Sequence, residues 1–204
     1  GATEAALDPC SLLESFGNAR TVHNHNSSRF GKWVAIHFDD EQKINTCMIK
    51  SFLLEKSRVV VQGPGERNYH IFYQLLAAAA ATPDAPALAD VTGSLGAATL
   101  YAYAGGADEA DAAADAEAFS RTLEQLGSLG FTQEQQRHLV NVLAAILALG
   151  NVAFEGGEGA RLTSSAKPLA QAARLLAVGP PALESALVSR KVASGRGSSY
   201  TVPL

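Results

Sequence analysis

A polar loop that leads directly into a compact apolar run constrains the fold of this chain more than any other feature. Residues 21–31 show no hydrophobic periodicity, so we expect a loop there. The run that follows, WVAIHF at residues 33–38, is typical of a buried strand. Residues 44–49 predict a second strand, and residues 57–61 predict a third strand or a connecting segment. The chain therefore needs a sheet, with a polar loop at its edge.

Helical patterns follow the predicted strands. Apolar residues spaced four apart predict a helix from Glu66 to about Ala81. The clearest helix begins at Thr132, because Thr132 and Gln135 form a capping box in which each side chain satisfies a free backbone donor. Gly150 is placed to end this helix. Its apolar side chains share one stripe, which we expect to pack in a core: Leu139, Val142, Leu143, Ile146 and Leu147.

The remaining segments are simpler in composition. Residues 77–118 are dominated by Ala, Gly and Asp, which predicts a helix tail followed by a poorly specified, low-complexity surface insertion. Within it, residues 108–117 are expected to form a solvated acidic face. Two shorter helices are predicted at 169–176 and 182–188. The chain therefore combines α and β elements, with helices in the majority.

Composition excludes several classes of function. The chain has 204 residues and a net charge of −4, so bulk electrostatics does not favour nucleic-acid binding. No apolar run reaches the roughly 18 residues of a membrane span. The two cysteines lack metal-type spacing and indicate reduced thiols in a cytosolic protein. The sequence begins without Met and without a signal peptide, so we expect it to start within a longer protein.

The histidines and Cys47 have ordinary structural interpretations. His23 and His25 lack a third ligand at zinc spacing, so a metal site is not expected there. We expect His37 and His70 in packed or half-buried positions. Cys47 is expected to be a small core residue of a strand.

The polar loop contains the residues suited to phosphate and metal chemistry. Residues 24–32 read Asn-His-Asn-Ser-Ser-Arg-Phe-Gly-Lys. Hydroxyl and amide oxygens are hard ligands suited to Mg²⁺. Amide N–H groups donate to phosphate oxygens, and arginine brings a planar fork for a phosphate or carboxylate. Such a loop could close over the terminal phosphate of a nucleotide, and a plain polar turn is the alternative that the pattern leaves open.

The order of these residues resembles the switch I loop of myosins. Four further motifs stand in the order found in that family, at residues 12–21, 52–60, 66–76 and 143–154. The resemblance covers nearly the whole chain and is weakest over 77–115. It implies an α/β fold of the P-loop NTPase type: a fragment of a myosin motor domain over 1–204, mainly helical with a few strands of the central sheet. Within that domain it implies the upper half of the large central subdomain.

The resemblance also implies residue roles. Asn24 would contact the nucleotide phosphates, and Asn26 and Ser27 would line the γ-phosphate pocket near the attacking water. Ser28 would place its hydroxyl on Mg²⁺. Arg29 would pair with a glutamate of the second switch. The implied ATP-binding residues are thus Asn24, Asn26, Ser27, Ser28 and Arg29, with Ser27 and Arg29 as the catalytic pair and His25, at a variable position, facing outward.

The implied function is that of an actin-based cytoskeletal motor with an actin-activated Mg-ATPase. Its partners would be ATP with Mg²⁺, actin filaments and the rest of the myosin heavy chain, without nucleic acid, in a myosin complex of the cytoplasmic cytoskeleton. Arg190 and Lys191 resemble the start of an actin-contact loop over 189–204. The glycine-rich residues 156–159 are a second candidate contact. Plain solvated connectors are the alternative for both segments.

The sequence departs from a complete active site. A phosphate-loop motif, Gly-x-x-x-x-Gly-Lys-Ser/Thr, is absent from the 204 residues, and no second switch is recognised. We therefore expect Arg29 to have no glutamate partner in this chain and the chain alone to lack ATPase activity. Two alternatives remain: a kinesin-like motor, whose first switch also contains Ser-Ser-Arg, and a truncated, non-catalytic actin-binding fragment.

Overall fold

The structure of the chain is a computed structural model. The structure describes these residues: 11–105, 111–155, 161–163, 165–193 and 199–203. Among the helices in these ranges, none combines the length and the apolar character needed to cross a membrane.

The first third of the chain is built from short antiparallel pairs. A helix over residues 11–17, α1, runs into strand β1 (Asn18–Ala19), which pairs antiparallel with β2 (Ser27–Ser28). Strands β3 (Gly31–Phe38) and β4 (Ile44–Phe52) then form a long antiparallel hairpin. Both predicted strands are present, each slightly longer than the sequence pattern indicated.

The expected burial of β3 is wrong. Trp33 in this strand is 66% exposed and Phe38 is 60% exposed. The reason is the sheet's width, because among the described residues β3 pairs only with β4. The segment 57–61 is the predicted connecting segment, not a third strand: residues Lys56–Val59 form a turn of 3-10 helix. The apolar run identified the strand correctly but did not reveal what covers it.

Helices make up most of the remainder. After α1 the helices are α2 His70–Ala81, α3 Ala112–Ser128, α4 Gln133–Gly150, α5 Ala166–Leu175 and α6 Pro180–Val188. Two small hairpins complete the elements: β5 Phe154–Glu155 with β6 Arg161–Leu162, and β7 Ser189–Ala193 with β8 Ser199–Pro203. Helix α2 begins four residues later than predicted, because Tyr69 is extended and bridges to Ala19.

The core forms around α2, which packs against α3 and α4. The capping box of Thr132 and Gln135 is confirmed at the start of α4. The buried face of α4 differs in part from the predicted stripe, since Val142 is 44% exposed while the alanines of α4 are buried. The buried side chains of the three helices include Ile71, Phe72, Leu75, Phe119, Val140, Leu143, Ala144 and Leu147.

The expectation of a surface insertion within 77–118 is wrong for its described middle part. Leu88 and Val91 are fully buried, and Ala104 is almost so. The 3-10 helix Pro86–Leu88, which carries Leu88, and the 3-10 helix Ala102–Ala104, which carries Ala104, both pack against α4. The low sequence complexity hid a few large apolar residues that are enough to anchor the segment. Its final residues, from Ala112, begin helix α3.

The expected acidic face is also wrong in part. Asp111 and Asp115 form ion pairs with Arg67 instead of facing only water. Glu117, two residues after Asp115 on α3, is exposed as predicted and pairs with its helical neighbour Arg121. Residues 108–110 of this segment lie outside the described residues.

Candidate functional site

The polar loop is closed by a small sheet at its base. Because β1 and β2 pair antiparallel, the residues between them form a compact loop whose two ends lie side by side. The amide of Arg29 donates to the Gly17 carbonyl at 2.8 Å, which extends this pairing. The ring of Phe30 lies directly on Gly17, where a Cβ atom would collide with it. Gly17 thus permits the close approach of the loop to α1.

Inside the loop, a turn is fixed by Thr21 and Asn24. The amide of Thr21 donates to the Asn24 carbonyl at 2.8 Å, and the amide of Asn24 donates to the Thr21 hydroxyl at 3.2 Å. The Asn24 side-chain oxygen accepts from the Asn26 amide at 2.9 Å. This Asx turn uses the acceptor of the Asn24 side chain. Its NH₂ group is the part that suits a phosphate oxygen.

The Asn26 side chain ties the loop to three elements. Its Oδ1 accepts from Asn18 Nδ2 at 3.0 Å and lies 3.1 Å from Nε2 of His70 on α2. Its Nδ2 donates to Glu14 Oε2 on α1 at 3.1 Å. The expectation that Asn26 lines the γ-phosphate pocket stays a prediction, and these contacts show that its side chain also ties the loop to its neighbours. The sequence around Glu14 and His70 did not indicate that these side chains bind Asn26, because only the folded chain brings them together.

Ser28 offers a hydroxyl suited to a hard cation. It is exposed, and its Oγ donates to the Phe30 carbonyl at 3.0 Å. A hydroxyl that donates its hydrogen keeps its oxygen lone pairs as ligands. Across the described ranges no three His, Cys, Asp or Glu side chains converge on a metal site. The free lone pairs of the Ser28 hydroxyl are of the kind that a hard cation such as Mg²⁺ takes as a ligand.

Arg29 has a glutamate partner within this chain, so the expectation that it lacks one is wrong. Its Nε donates to Glu55 Oε2 at 2.6 Å, and its NH1 donates to the Ser27 hydroxyl at 3.3 Å. The β3–β4 hairpin explains the pair. It returns the chain so that the Glu55 amide donates to the Arg29 carbonyl at 3.0 Å. Twenty-six residues of sequence separate the partners.

Glu55 is itself held by Arg58, which is 5% exposed. Arg58 Nε donates to Glu55 Oε2 at 2.8 Å, and its NH1 donates to Glu66 Oε2 at 3.0 Å. Burial raises the pKa of Glu55, but the hydrogen bonds from Arg29 and Arg58 outweigh it and bring the pKa below its ordinary value. The carboxylate therefore stays ionised near neutral pH.

A second charged cluster joins the base of the loop to α3. The Arg67 amide donates to the Arg20 carbonyl at 2.9 Å, beside β1. Asp111 accepts from Arg20 NH1 at 2.9 Å and from Arg67 NH1 at 3.2 Å. Asp115 accepts from Arg67 NH2 at 2.6 Å, and the Arg67 guanidinium stacks over the Tyr73 ring. The loop is therefore anchored to the helical core by charge as well as by packing.

The histidines behave differently from one another. His70 is half-buried, as predicted, and burial followed by the charge of Arg67 lowers its pKa. His37 is exposed on β3, so its expected packing is wrong. Cys47 on β4 is half-buried and free. The outward position expected for His25 agrees with its exposure.

The residues suggested for actin contact belong to a different element from the polar loop. Arg190 and Lys191 belong to β7, and Arg190 is exposed. The backbone of Lys191 pairs with Thr201 of β8 in a two-stranded sheet of its own. Residues 156–159, the glycine-rich candidate, lie outside the described residues.

The comparison with protein families decides the affiliation of this chain. The model of the myosin head (motor domain) family matches residues 3–204. The chain belongs to this family. The myosin resemblance of the five motifs is thereby confirmed, and it is favoured over the kinesin-like alternative.

Individual myosins agree with the family match. The chain is 41% identical over 206 residues to unconventional myosin IC of Drosophila melanogaster, covering all of this chain and 19% of that protein. It is 41% identical to human unconventional myosin-XV, covering 96% of this chain and 6% of that protein. It is 39% identical to the myosin IC heavy chain of Acanthamoeba castellanii, covering 94% of this chain and 16% of that protein. The myosin chain thus spans a fifth or less of the length of these relatives.

Proposed function

We propose that the chain works within a complete myosin heavy chain and supplies the nucleotide switch of an actin-based motor. The switch is the loop over residues 24–32. The observation that carries this proposal is the exposed Ser28 hydroxyl, with its hydrogen used and its lone pairs available, next to an arginine fixed in an ion pair. Phosphoryl transfer asks a protein mainly for such positioning and charge stabilisation.

Different groups of the loop would bind different parts of Mg²⁺-ATP. The NH₂ group of Asn24 would donate to a phosphate oxygen, and Ser28 would contribute one magnesium ligand. Ser27 would be oriented by its hydrogen bond from Arg29. The bound nucleotide supplies the γ-phosphoryl group, and the chain contributes binding, orientation and positive charge. Asn26 supports the loop through its backbone position and its side-chain contacts.

The loop is also suited to a switching role. Its outer residues are exposed, whereas its base is fixed by β1, β2 and the ion pairs of Arg29 and Arg67. A loop held by the γ-phosphate and Mg²⁺ is released when that phosphate leaves. Fixed ends limit the change to residues 21–26, between the two short strands, and transmit it to α1 and α2, which contact Asn26.

The remaining parts of the motor complete the site. The sequence has no phosphate-loop motif, so we infer that another part of the heavy chain provides the P-loop fold, the second switch and most phosphate contacts. The 204 residues alone would then show no ATPase activity. Arg190 and Lys191 would add to an actin-binding surface through the positive charge of β7. The intact protein would belong to a myosin complex of the cytoskeleton.

Two substitutions in the complete heavy chain test this function. Ser28→Ala removes the hydroxyl ligand and Arg29→Ala removes the guanidinium, so each is expected to lower kcat of the Mg-ATPase by roughly 100-fold. The matched controls are Ser51→Ala on β4 and Arg121→Ala on α3, both at exposed positions. ATPase rates are measured with and without actin filaments. Site variants as active as the controls would contradict the proposal.

A further inference from the structure

We propose that Glu55 is a positioning residue for Arg29, and that the buried Arg58 behind it sets where the Arg29 guanidinium stands. The inference rests on the proposed function of the loop, because it assigns Arg29 a supporting partner within that switch. Glu55 lies outside the loop, beyond the end of β4, and acts on the nucleotide only through Arg29.

Arg29 and Glu55 are joined at two points. Their side chains meet in the 2.6 Å ion pair, and their backbones meet through the amide of Glu55 and the carbonyl of Arg29 at 3.0 Å. Both side chains are about one-third exposed, so water screens the pair only in part. The backbone bond fixes the distance between the two residues, which reduces the entropy lost when the ion pair forms.

Glu55 is held more firmly than Arg29. Arg58 binds the same carboxylate oxygen at 2.8 Å, and the Tyr69 hydroxyl donates to the Glu55 carbonyl at 2.8 Å. Arg58 in turn donates to Glu66 at 3.0 Å and to the Arg67 carbonyl at 3.2 Å. The carboxylate is thus fixed from behind, and Arg29 takes its position from it.

This arrangement leaves part of the guanidinium for a ligand. Glu55 occupies Nε of Arg29, and Ser27 accepts from NH1. An arginine has more N–H donors than these two contacts use. Glu55 therefore orients one edge of the group and leaves other donors for a phosphate oxygen or an incoming carboxylate. It also keeps Arg29 paired when no phosphate is bound, so the loop keeps a defined resting position.

The experiment is a double-mutant cycle in the complete heavy chain with Glu55→Gln and Arg29→Gln. Acid-quench single turnovers measure the hydrolysis step, and equilibrium binding measures ATP affinity. Glu55→Gln is expected to slow hydrolysis about tenfold while ATP affinity changes less than about threefold, because misplaced catalytic groups reduce the rate more than binding. In the Arg29→Gln background, Glu55→Gln is expected to have no further effect. An equal effect in both backgrounds would overturn the proposal.

Further variants separate positioning from folding. Glu66→Gln removes the other carboxylate partner of Arg58 without touching Arg29 and is expected to leave hydrolysis unchanged. If Glu66→Gln slows hydrolysis as much as Glu55→Gln, and does so in the Arg29→Gln background as well, the loss comes from the packing of Arg58 and not from the position of Arg29, and the proposal is wrong. Glu55→Asp, which keeps the charge, is expected to restore part of the rate. Glu41→Gln, which removes an exposed acid paired with Lys43, is the matched control and is expected to behave as wild type.

The outcomes distinguish this inference from the proposed function. If Arg29→Gln hydrolyses ATP at the wild-type rate, the loop is not the switch and both proposals fail. If Arg29→Gln is slow but Glu55→Gln is not, the switch stands and only the positioning role of Glu55 is overturned.

Discussion

Asn26, predicted to line the γ-phosphate pocket, also has a structural part in the fold. Its amide group contacts α1, β1 and α2 through Glu14, Asn18 and His70. Each such bond contributes on the order of 1 kcal/mol when it is partly exposed to water. Together they restrict the exposed loop before any ligand arrives, which lowers the entropy cost of binding.

Replacing Asn26 by alanine is therefore expected to weaken ATP binding by the complete heavy chain about tenfold. The loss comes from a looser loop, so hydrogen exchange of residues 21–28 should accelerate in the same variant. Asn45→Ala, at an exposed position on β4, is the control and should change neither measurement. An unchanged affinity together with unchanged exchange would show that Asn26 is not the tie described here.

His70 makes the stability of the protein depend on pH. Its pKa is lowered by burial and by Arg67, while Asp115 and Glu14 oppose the shift and Arg20 adds to it. The folded state therefore binds the proton less well than the unfolded state. The contribution of His70 to the free energy of unfolding is fully present at pH values above the ordinary histidine pKa of about 6.5. It is lost as the pH falls from there towards the lowered pKa of the folded state.

The prediction is that the thermal midpoint of the complete wild-type heavy chain falls between about pH 7.5 and pH 5 more steeply than that of the same chain with His70→Gln. His37→Gln is the control, because His37 is exposed on β3. Parallel curves for wild type and His70→Gln would mean that His70 titrates no differently in the folded and unfolded states.

At the scale of elements, Asn68 joins three segments of the chain through side-chain hydrogen bonds. It is fully buried, and its Nδ2 donates to the carbonyls of Val59 at 3.0 Å and Tyr103 at 2.8 Å. Its Oδ1 accepts from the Tyr69 amide at 2.8 Å, just before α2. The side chain thus connects the 3-10 helix after β4, the segment before α3, and the start of α2.

Asn68→Ala is expected to lower the free energy of unfolding by about 2–3 kcal/mol, since it removes the hydrogen bonds of a fully buried side chain and opens a small cavity. Thermal unfolding of the complete heavy chain, followed by loss of its ATPase, measures the change. Asn68→Asp serves as a second variant and should be at least as harmful, because it buries a carboxylate facing two carbonyls. A midpoint within about 1 °C of wild type for both variants would contradict this role.

Elements with local signals could be predicted from the sequence. The capping box located α4, the four-residue spacing located α2, and the apolar runs located β3 and β4. Burial and pairing could not be predicted in the same way, because they depend on distant residues. Trp33 is exposed although its run is apolar, and Leu88 is buried within a low-complexity segment.

The candidate site shows the same division. The resemblance of the loop pointed to the Ser28 hydroxyl and the Arg29 guanidinium as candidate functional groups, and their roles stay predictions. Glu55 could not be predicted as the partner of Arg29, because the pair depends on the length of the β3–β4 hairpin and the turn after it. Family resemblance pointed to a glutamate elsewhere and did not reveal this second one.

At the scale of the whole molecule, the β3–β4 hairpin carries a large apolar surface. Its exposed side chains include Trp33, Ile36, Phe38, Met48 and Phe52. Leu53, directly after β4, is also exposed, with a left-handed backbone at φ 57°. Exposed apolar strands with free edges favour association with other chains.

The isolated 204-residue chain is therefore expected to aggregate at micromolar concentration and to lack a reversible thermal transition. Size-exclusion chromatography with light scattering and repeated thermal scans measure both properties. A Trp33→Lys, Phe38→Lys double variant should remain soluble to a higher concentration, because it places charge on the apolar strand. A monodisperse wild-type chain with a cooperative, reversible transition would contradict this expectation.

The central claim is that the loop over residues 24–32 holds magnesium-bound nucleotide. A high-resolution structure of the complete heavy chain with Mg²⁺ and a non-hydrolysable ATP analogue tests it most directly. We predict the Ser28 Oγ as a magnesium ligand at about 2.1 Å, with the Arg29 guanidinium still bound to Glu55 or turned to the γ-phosphate. Clear density for the nucleotide with this loop more than about 10 Å from the metal, beyond the reach of any direct ligand, would contradict the claim.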